Sequence, residues 1–432
     1  MEESVKNAIK LNILNELKKF YSLKKREFVP GQTKIPLACS TYDANDIFES
    51  VDSLLNEWPT IGKKVEKCEE KLAKYIGARN AIMVSSGGAA NFLVLSFLTS
   101  PFVDEENRLN LGDEIITPAV TWSTTASPIV QVGCVPVLAD VNLGTYDINV
   151  EEIEKLITDK TRALMIVHPL GNVCDMDAIR KIVDKHNLIL IEDTCESLGS
   201  KYKDKFAGTF GKFGTFSFYY SHLITSVEGG MIVTDNDYYA DVFRSMRANG
   251  WLRGIRNEKL KEQILKENPN IHQSFLFPFS GFNFKPTDVH AGLLMNQIDR
   301  IEEYIKHRRE IAQALSEGLK EFENYLILPF EKSYTRNSWF SYPIIVKPNP
   351  FFNKNELVSF MEARNIETRP IIAGNIAAQP FLKKYPFRQG NLQNSQLIMS
   401  QGFYIGCHSF ISKEEQEYII NTIETFIKSK IK

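Results

Sequence analysis

Between about residue 80 and residue 235 short apolar runs alternate with stretches of helical periodicity, and that alternation is the sequence form of an α/β layer fold with a mainly parallel sheet. The runs expected to be strands are Ala81–Ser85, Glu114–Thr117, Val135–Asp140, Ala163–His168, Leu188–Glu192, Thr215–Phe218 and Met231–Thr234. Several end in polar or acidic residues. In open α/β sheets ligands collect at the carboxyl ends of the strands, so the chemistry is expected there.

Past Gly281 the pattern changes. A long helical stretch from Thr287 to about Leu319 leads to a strand at Ser341–Val346, a helix at Lys354–Arg364 and a closing amphipathic helix at Lys413–Lys428. A chain of 432 residues exceeds the usual single domain. We expect an N-terminal helical extension over 1–45, a large domain over 46–285, and a linking helix with a smaller C-terminal α/β domain over 286–432. The opening segment MEESVKNAIKLNILNELKKF has charges interspersed among its apolar residues, which is the pattern of an amphipathic helix and not of a signal peptide.

With 51 basic against 53 acidic side chains the chain lacks the positive field that would hold nucleic acid. No apolar run approaches the ~20 residues of a membrane span, so neither nucleic acid nor membrane is an expected partner, and the expected location is the cytoplasm. Cys39, Cys68, Cys134, Cys174, Cys195 and Cys407 are scattered without a CxxC pair, and read as reduced, mostly buried thiols with no metal site.

Two segments carry candidate chemistry. Val84–Asn91 follows a strand and opens a helix with Gly87 and Gly88, where free N–H groups and the helix dipole suit a phosphate; an ordinary tight turn is the alternative. Leu188–Asp193 ends an apolar strand in two carboxylates. Asp193 would be satisfied by a protonated pyridine nitrogen, or else is a solvated strand end.

With Gly214–Gly230 added (Gly-Thr-Phe-Ser217, then His222, Glu228 and Gly229-Gly230), the chain resembles the fold-type I, pyridoxal-phosphate-dependent sugar aminotransferases and dehydratases of the DegT/StrS group. Likeness extends over nearly the whole chain, through Trp58–Gly62, Thr121-Trp122, His168–Asn172, Glu192-Asp193 and Gly281–Asp288. It implies a fold-type I aminotransferase-like large domain with a mainly parallel mixed sheet flanked by helices, plus the smaller domain. Carried over, it makes Gly87, Gly88 and Ser217 phosphate ligands, Trp122 the ring stacked on the pyridine, Asp193 the partner of its nitrogen, and Glu196 a further cofactor contact. Asn283 would reach the phosphate from a neighbouring subunit, which implies a homodimer with shared active sites. Thr60 and Asn375 are assigned to the substrate.

Six residues before Glu228 the aminotransferases of this group carry the lysine that tethers the cofactor, and this chain has His222. Imidazole cannot form that bond but can carry a proton near neutral pH. This exchange, with Phe28–Pro36, Ser338–Pro343, Thr368–Asn375 and Gln379-Pro380, resembles the sugar 3-dehydratases of the group. The resemblance implies pyridoxamine 5′-phosphate as working cofactor, cycling with pyridoxal 5′-phosphate, a nucleotide-linked 4-keto-6-deoxy sugar as substrate, GDP-linked by preference, and glutamate as amino donor. His222 then takes a proton from the cofactor's 4′ carbon as hydroxide leaves carbon 3 of the sugar. Lys212, the rival tether, precedes its strand and should lie at the wrong end. Arg244–Ile255 lacks the cysteines with which an iron-sulfur branch binds a cluster, so none is expected. Arg369 is the leading candidate for an anionic group of donor or substrate, with Arg247 and Arg253 behind it. A nucleotide-sugar 4-aminotransferase and a catalytically inactive binding protein on the same fold are the competing readings.

Overall fold

All seven expected strands form, with small shifts at their ends. The computed structural model describes residues 2–23 and 27–431; Met1, Lys432 and positions 24–26 of the N-terminal segment lie outside the described residues. In spatial order the large sheet runs Asn80–Val84, Gly230–Thr234, Phe213–Ser217, Ile189–Asp193, Thr161–Val167, Glu114–Pro118, Val135–Ala139 and Arg388–Gln389. Gly230–Thr234 is antiparallel to both neighbours and the other adjacent pairs are parallel. Two antiparallel steps restore direction. Asn80–Val84 therefore points with the parallel set, and Val84, Pro118, Val167, Asp193 and Ser217 all end on one edge.

Both faces of this sheet are covered, which is why its strands read as continuous apolar runs. Within Thr161–Val167, Ala163 and Met165 pack toward the helix Gly87–Leu98, while Leu164 and Ile166 pack toward the helix Met176–His186. Alternate side chains leave a strand on opposite faces, so one strand supplies two cores.

A second, four-stranded antiparallel sheet orders Leu326–Ile327, Ser341–Val346, Gly402–Gly406 and Thr368–Arg369. Its core is closed by Ile311, Leu315 and Leu319 of the helix Ile301–Leu319, Leu357 and Met361 of Lys354–Glu362, and Ile419, Ile423 and Phe426 of Lys413–Lys430. Ile35 is buried in the same core and bridges to Ile366. Arg388–Gln389, from the C-terminal third of the chain, adds to the large sheet.

The helical stretch from Thr287 to Leu319 is interrupted. Asp288–Met295 and Ile301–Leu319 are α-helices joined by a 3₁₀ turn at Gln297–Arg300. Gln297 is fully buried there: its carboxamide accepts from Thr41 Oγ1 and Thr225 N and donates to Thr225 O and Leu293 O. A side chain with every valence engaged fixes the break, and it anchors the loop that carries His222. The N-terminal helix Glu2–Ser22 forms but buries none of its residues. It is tied to the helix Ala44–Leu55 through Lys10 and Asp52, 2.8 Å apart.

Arg247 is not available to an anionic ligand. It is 4 % exposed and bound to Glu69, which also accepts from Arg256 and from the Met83 N–H. Glu69 supplies the counter-charge to this buried cation while joining the helix Lys63–Ile76 to the first strand. Replacing Glu69→Ala should therefore lower unfolding free energy by about 3–5 kcal/mol in urea titration, because Arg247 is left buried without a counter-charge; a loss below about 1 kcal/mol would show the pair to be dispensable.

Candidate active site

The strand end Ile189–Asp193 places two carboxylates side by side and separates their roles. Glu192, fully buried, accepts from Gly208 N, Phe210 N and Gly211 N and faces His168 Nε2 at 2.9 Å. His168 Nδ1 accepts from Cys174 N, so its proton sits on Nε2 and is donated to Glu192. Glu192 is thereby a structural group. Asp193 points the other way, its Oδ2 accepting from Asn91 Nδ2 at 2.7 Å and Thr125 Oγ1 at 2.8 Å, and its Oδ1 from Cys195 N at 3.2 Å. Such a carboxylate is aimed by its donors, with no cationic side chain bonded to it among the described residues. A protonated ring nitrogen fits that vacancy in the donor set.

Beside it, Ser86 caps the helix Gly87–Leu98 by accepting from Ala89 N. The N–H groups of Gly87 and Gly88 precede the first intrahelical donor and stay free for an anion. A Cβ on Gly87 would lie 2.6 Å from Ser217 Cβ and 2.9 Å from Cys195 Sγ. Glycine is required here by close approach, and it brings the turn against Ser217 as expected of a phosphate cradle.

His222 follows on the loop after Phe213–Ser217. Its Nδ1 lies 2.9 Å from the Ser217 carbonyl oxygen, which can only accept, so Nδ1 carries the proton and Nε2 presents a lone pair. The Phe340 ring meets the imidazole edge-on, 5.4 Å between centroids. Burial lowers the imidazole to about 4, against the pull of the Ser217 carbonyl, with Arg308 lowering it further and Asp193 opposing. At neutral pH this is an uncharged base. Close by, Glu196 accepts from Leu170 N at 2.8 Å, and burial, reinforced by Asp193, raises its carboxyl to about 7.

The remaining expected residues divide into two groups. Trp122 opens the helix Ser123–Gln131 at the same sheet edge and is 59 % exposed. Arg369 lies exposed on the small sheet opposite Tyr404. Asn375 is buried and caps the turn Ile376–Ala378 while its backbone bridges to Val120. Its side-chain oxygen is occupied in that cap. Thr60, by contrast, lines a separate groove of about 340 Å³ with Trp58, Arg253 and Lys285, and the exposed Asn283 bridges to Ala248 of that groove. Neither makes a hydrogen bond or ring contact with His222 within one chain. Lys212 sits before Phe213–Ser217 and reaches Asn107, at the far end of the strand from Ser217.

Asn91, Thr125, Phe340 and Arg308 were not singled out by the sequence reading. Asn91 offered one signal, being the only amide in a mostly apolar helix, GGAANFLVLSFL, where an unpaired amide would be costly. The others become visible only through contacts across the fold. Among the described residues no helix is long and apolar enough to cross a membrane, and no cluster of His, Cys, Asp and Glu is placed to hold a metal ion.

Known proteins match this arrangement. The DegT/DnrJ/EryC1/StrS aminotransferase family profile matches residues 41–424. The lipopolysaccharide biosynthesis protein RfbH of Salmonella typhimurium is 35% identical over 415 residues, 94% of this chain and 94% of that protein. The dTDP-4-dehydro-2,6-dideoxy-D-glucose 3-dehydratase of Saccharopolyspora spinosa is 36% identical over 408 residues, 93% of this chain and 88% of that protein. A crystal structure of GDP-4-keto-6-deoxymannose-3-dehydratase with a trapped PLP-glutamate geminal diamine superposes with a TM-score of 0.83 at 32% identity, covering 90% of this chain and 100% of the other. The expected fold-type I aminotransferase-like architecture is thus the observed one. A profile match over most of the length and relatives above 30% identity agree: this chain belongs to the DegT/DnrJ/EryC1/StrS aminotransferase family.

Proposed function

We propose that the protein is a pyridoxamine-phosphate-dependent 3-dehydratase acting on a nucleotide-linked 4-keto-6-deoxy sugar, with glutamate regenerating the cofactor. The observation that carries this reading is His222, placed where the aminotransferases have lysine, with Nδ1 bonded to the Ser217 carbonyl and Nε2 free to accept a proton. The 3-dehydratase names of the matched relatives support it, and the structure with PLP and glutamate supports cofactor and donor. Those relatives act on dTDP- and GDP-linked sugars, and GDP is our first choice because the structurally matched dehydratase uses it. RfbH points to surface polysaccharide as destination.

Bound pyridoxamine phosphate supplies an amine for the sugar's carbonyl carbon and a ring that stores an electron pair. Gly87, Gly88 and Ser217 hold its phosphate, Trp122 covers its face, and Asp193 keeps the ring nitrogen protonated. Glu196, near neutrality, serves as a further cofactor contact able to share a proton. His222 Nε2 takes a proton from the carbon bearing the amine and delivers it to the departing hydroxyl. Arg369 holds an anionic group, and Asn375, with Thr60, lines the substrate path. Asn283 and Thr60 complete the site from a second copy in a cytoplasmic homodimer, which accounts for their making no contact with His222 within one chain.

Oxygen leaves carbon 3 as water, while glutamate gives up its nitrogen and takes an oxygen at its α-carbon, so one 3-deoxy-4-keto sugar, one 2-oxoglutarate and one ammonia should form per turnover. Mass spectrometry of products from glutamate and a panel of 4-keto sugar nucleotides tests this directly. A stable amino sugar retaining its 3-hydroxyl would assign the protein as an aminotransferase instead.

Substituting His222→Asn should lower kcat for dehydration by roughly 10²–10⁴-fold, the usual worth of a general base, and unchanged turnover would refute the assignment. His222→Lys should show the absorbance of a covalently held cofactor, trappable by borohydride.

Because the folded imidazole lies near 4 and the unfolded one near 6.5, the folded state binds fewer protons between those values. Stability from this group is full above about pH 6.5 and is lost as pH falls toward 4. The acid limb of kcat/KM should accordingly lie below 6, and His222→Asn should flatten the acid-side decline in urea stability. A limb centred at 6.5 or above would contradict the buried neutral imidazole.

A further inference from the structure

Arg308 is a buried cation without an acid. It is 2 % exposed, and among the described residues no carboxylate lies within salt-bridge distance of it. Burial lowers it only to about 10, so it stays charged at neutral pH. Leaving an uncompensated charge in the interior is costly, and a fold that keeps one requires a reason. Its Nη1 donates to two consecutive carbonyls, Trp339 O at 3.1 Å and Phe340 O at 3.2 Å.

Those carbonyls belong to a strained turn. Trp339 has φ +51, and facing it Leu170 has φ +54, both in the left-handed region that bulky side chains avoid. The two segments are locked together: Ser338 N donates to Gly171 O at 2.9 Å and Phe340 N to Leu170 O at 3.1 Å. Gly171 permits the approach, since a Cβ there would stand 2.3 Å from Trp339 N. One side of this saddle directs the Phe340 ring against His222; the other presents the Leu170 N–H to Glu196. His222 and Glu196 thus both rest on a turn whose carbonyls Arg308 clamps.

We propose that Arg308 is a positioning residue for His222, acting through the 338–340 turn and through its unpaired charge. The clamp sets the plane of the imidazole by way of Phe340. The charge works on its proton affinity: Arg308 from the helix Ile301–Leu319 lowers it, Asp193 from the central strand and the Ser217 carbonyl raise it, and the Tyr219 and Phe340 rings pack against it without charge. An imidazole kept neutral before reaction is available as base, and once protonated it gives the proton up readily to a leaving hydroxyl. Being fixed in charge, guanidinium performs this at any working pH.

This inference rests on His222 being the base, and the test separates the two. In the full-length chain, Arg308→Gln, Arg308→Lys and Phe340→Leu are compared with the parent, and the His222 imidazole is titrated by NMR on ¹⁵N-histidine-labelled protein, with His222→Asn identifying its resonance. Arg308→Gln should raise the His222 midpoint by about one pH unit and move the acid limb of kcat/KM with it. Arg308→Lys should restore the midpoint but not the parental kcat, and Phe340→Leu should lower kcat more than it raises KM. An unmoved midpoint in Arg308→Gln overturns the Arg308 assignment without touching the function, since it is read without turnover. Dehydration surviving in His222→Asn overturns the function beneath it. Should Arg308→Gln fail to fold, parental kcat in both Arg308→Lys and Phe340→Leu overturns the assignment equally.

Discussion

A carboxylate buried at the end of a central strand has to be held by donors from other parts of the chain, and Asp193 recruits them from three. Asn91 reaches it from the helix after the first strand, Thr125 from the helix after Glu114–Pro118, and the Cys195 N–H from its own loop. Thr215 in turn donates to Asn91 Oδ1 at 2.6 Å, adding the strand that leads to His222. These bonds fix the relative positions of the glycine turn, the Trp122 helix and the Ser217–His222 segment. Buried polar networks of this kind specify one arrangement because each member is costly to leave unpaired.

Around that anchor the candidate site is built from loops leaving one edge of the sheet, while the His222 ring is set by a single backbone bond. The Ser217 carbonyl decides which imidazole nitrogen bears the proton, and the same strand end offers the Ser217 hydroxyl beside Gly87. Ser217 and His222 are therefore spaced by a short piece of chain, held at its far side by Gln297 gripping Thr225. The neighbouring carboxylate Glu192 contributes by stiffness alone, its lone pairs filled by His168 and three backbone donors.

Much of this was legible in the residues. Strands buried on both faces carry uninterrupted apolar runs, so the sheet could be read from pattern, and the order Gly87-Gly88, Asp193, Ser217, His222 survives as a linear signature of one strand edge. The helical stretch expected from Thr287 to Leu319 is present, but its interruption is invisible to periodicity, which does not register a 3₁₀ turn held by Gln297, whose partners Thr41 and Thr225 are remote in sequence. Arg247 looked like an anion site for the same reason: Glu69, its partner, lies 178 positions away.

What the sequence by itself determined is the α/β class and the order in which Gly87-Gly88, Asp193, Ser217 and His222 follow the ends of the strands, since both depend on residue type and local spacing. Only the tertiary structure decided which of two adjacent carboxylates faces the site, which imidazole nitrogen is free, and which arginine is a clamp and which a buried counter-charge. Hydrogen bonds and charge pairs between distant segments settle those questions, and their geometry exists only once the chain has closed upon itself.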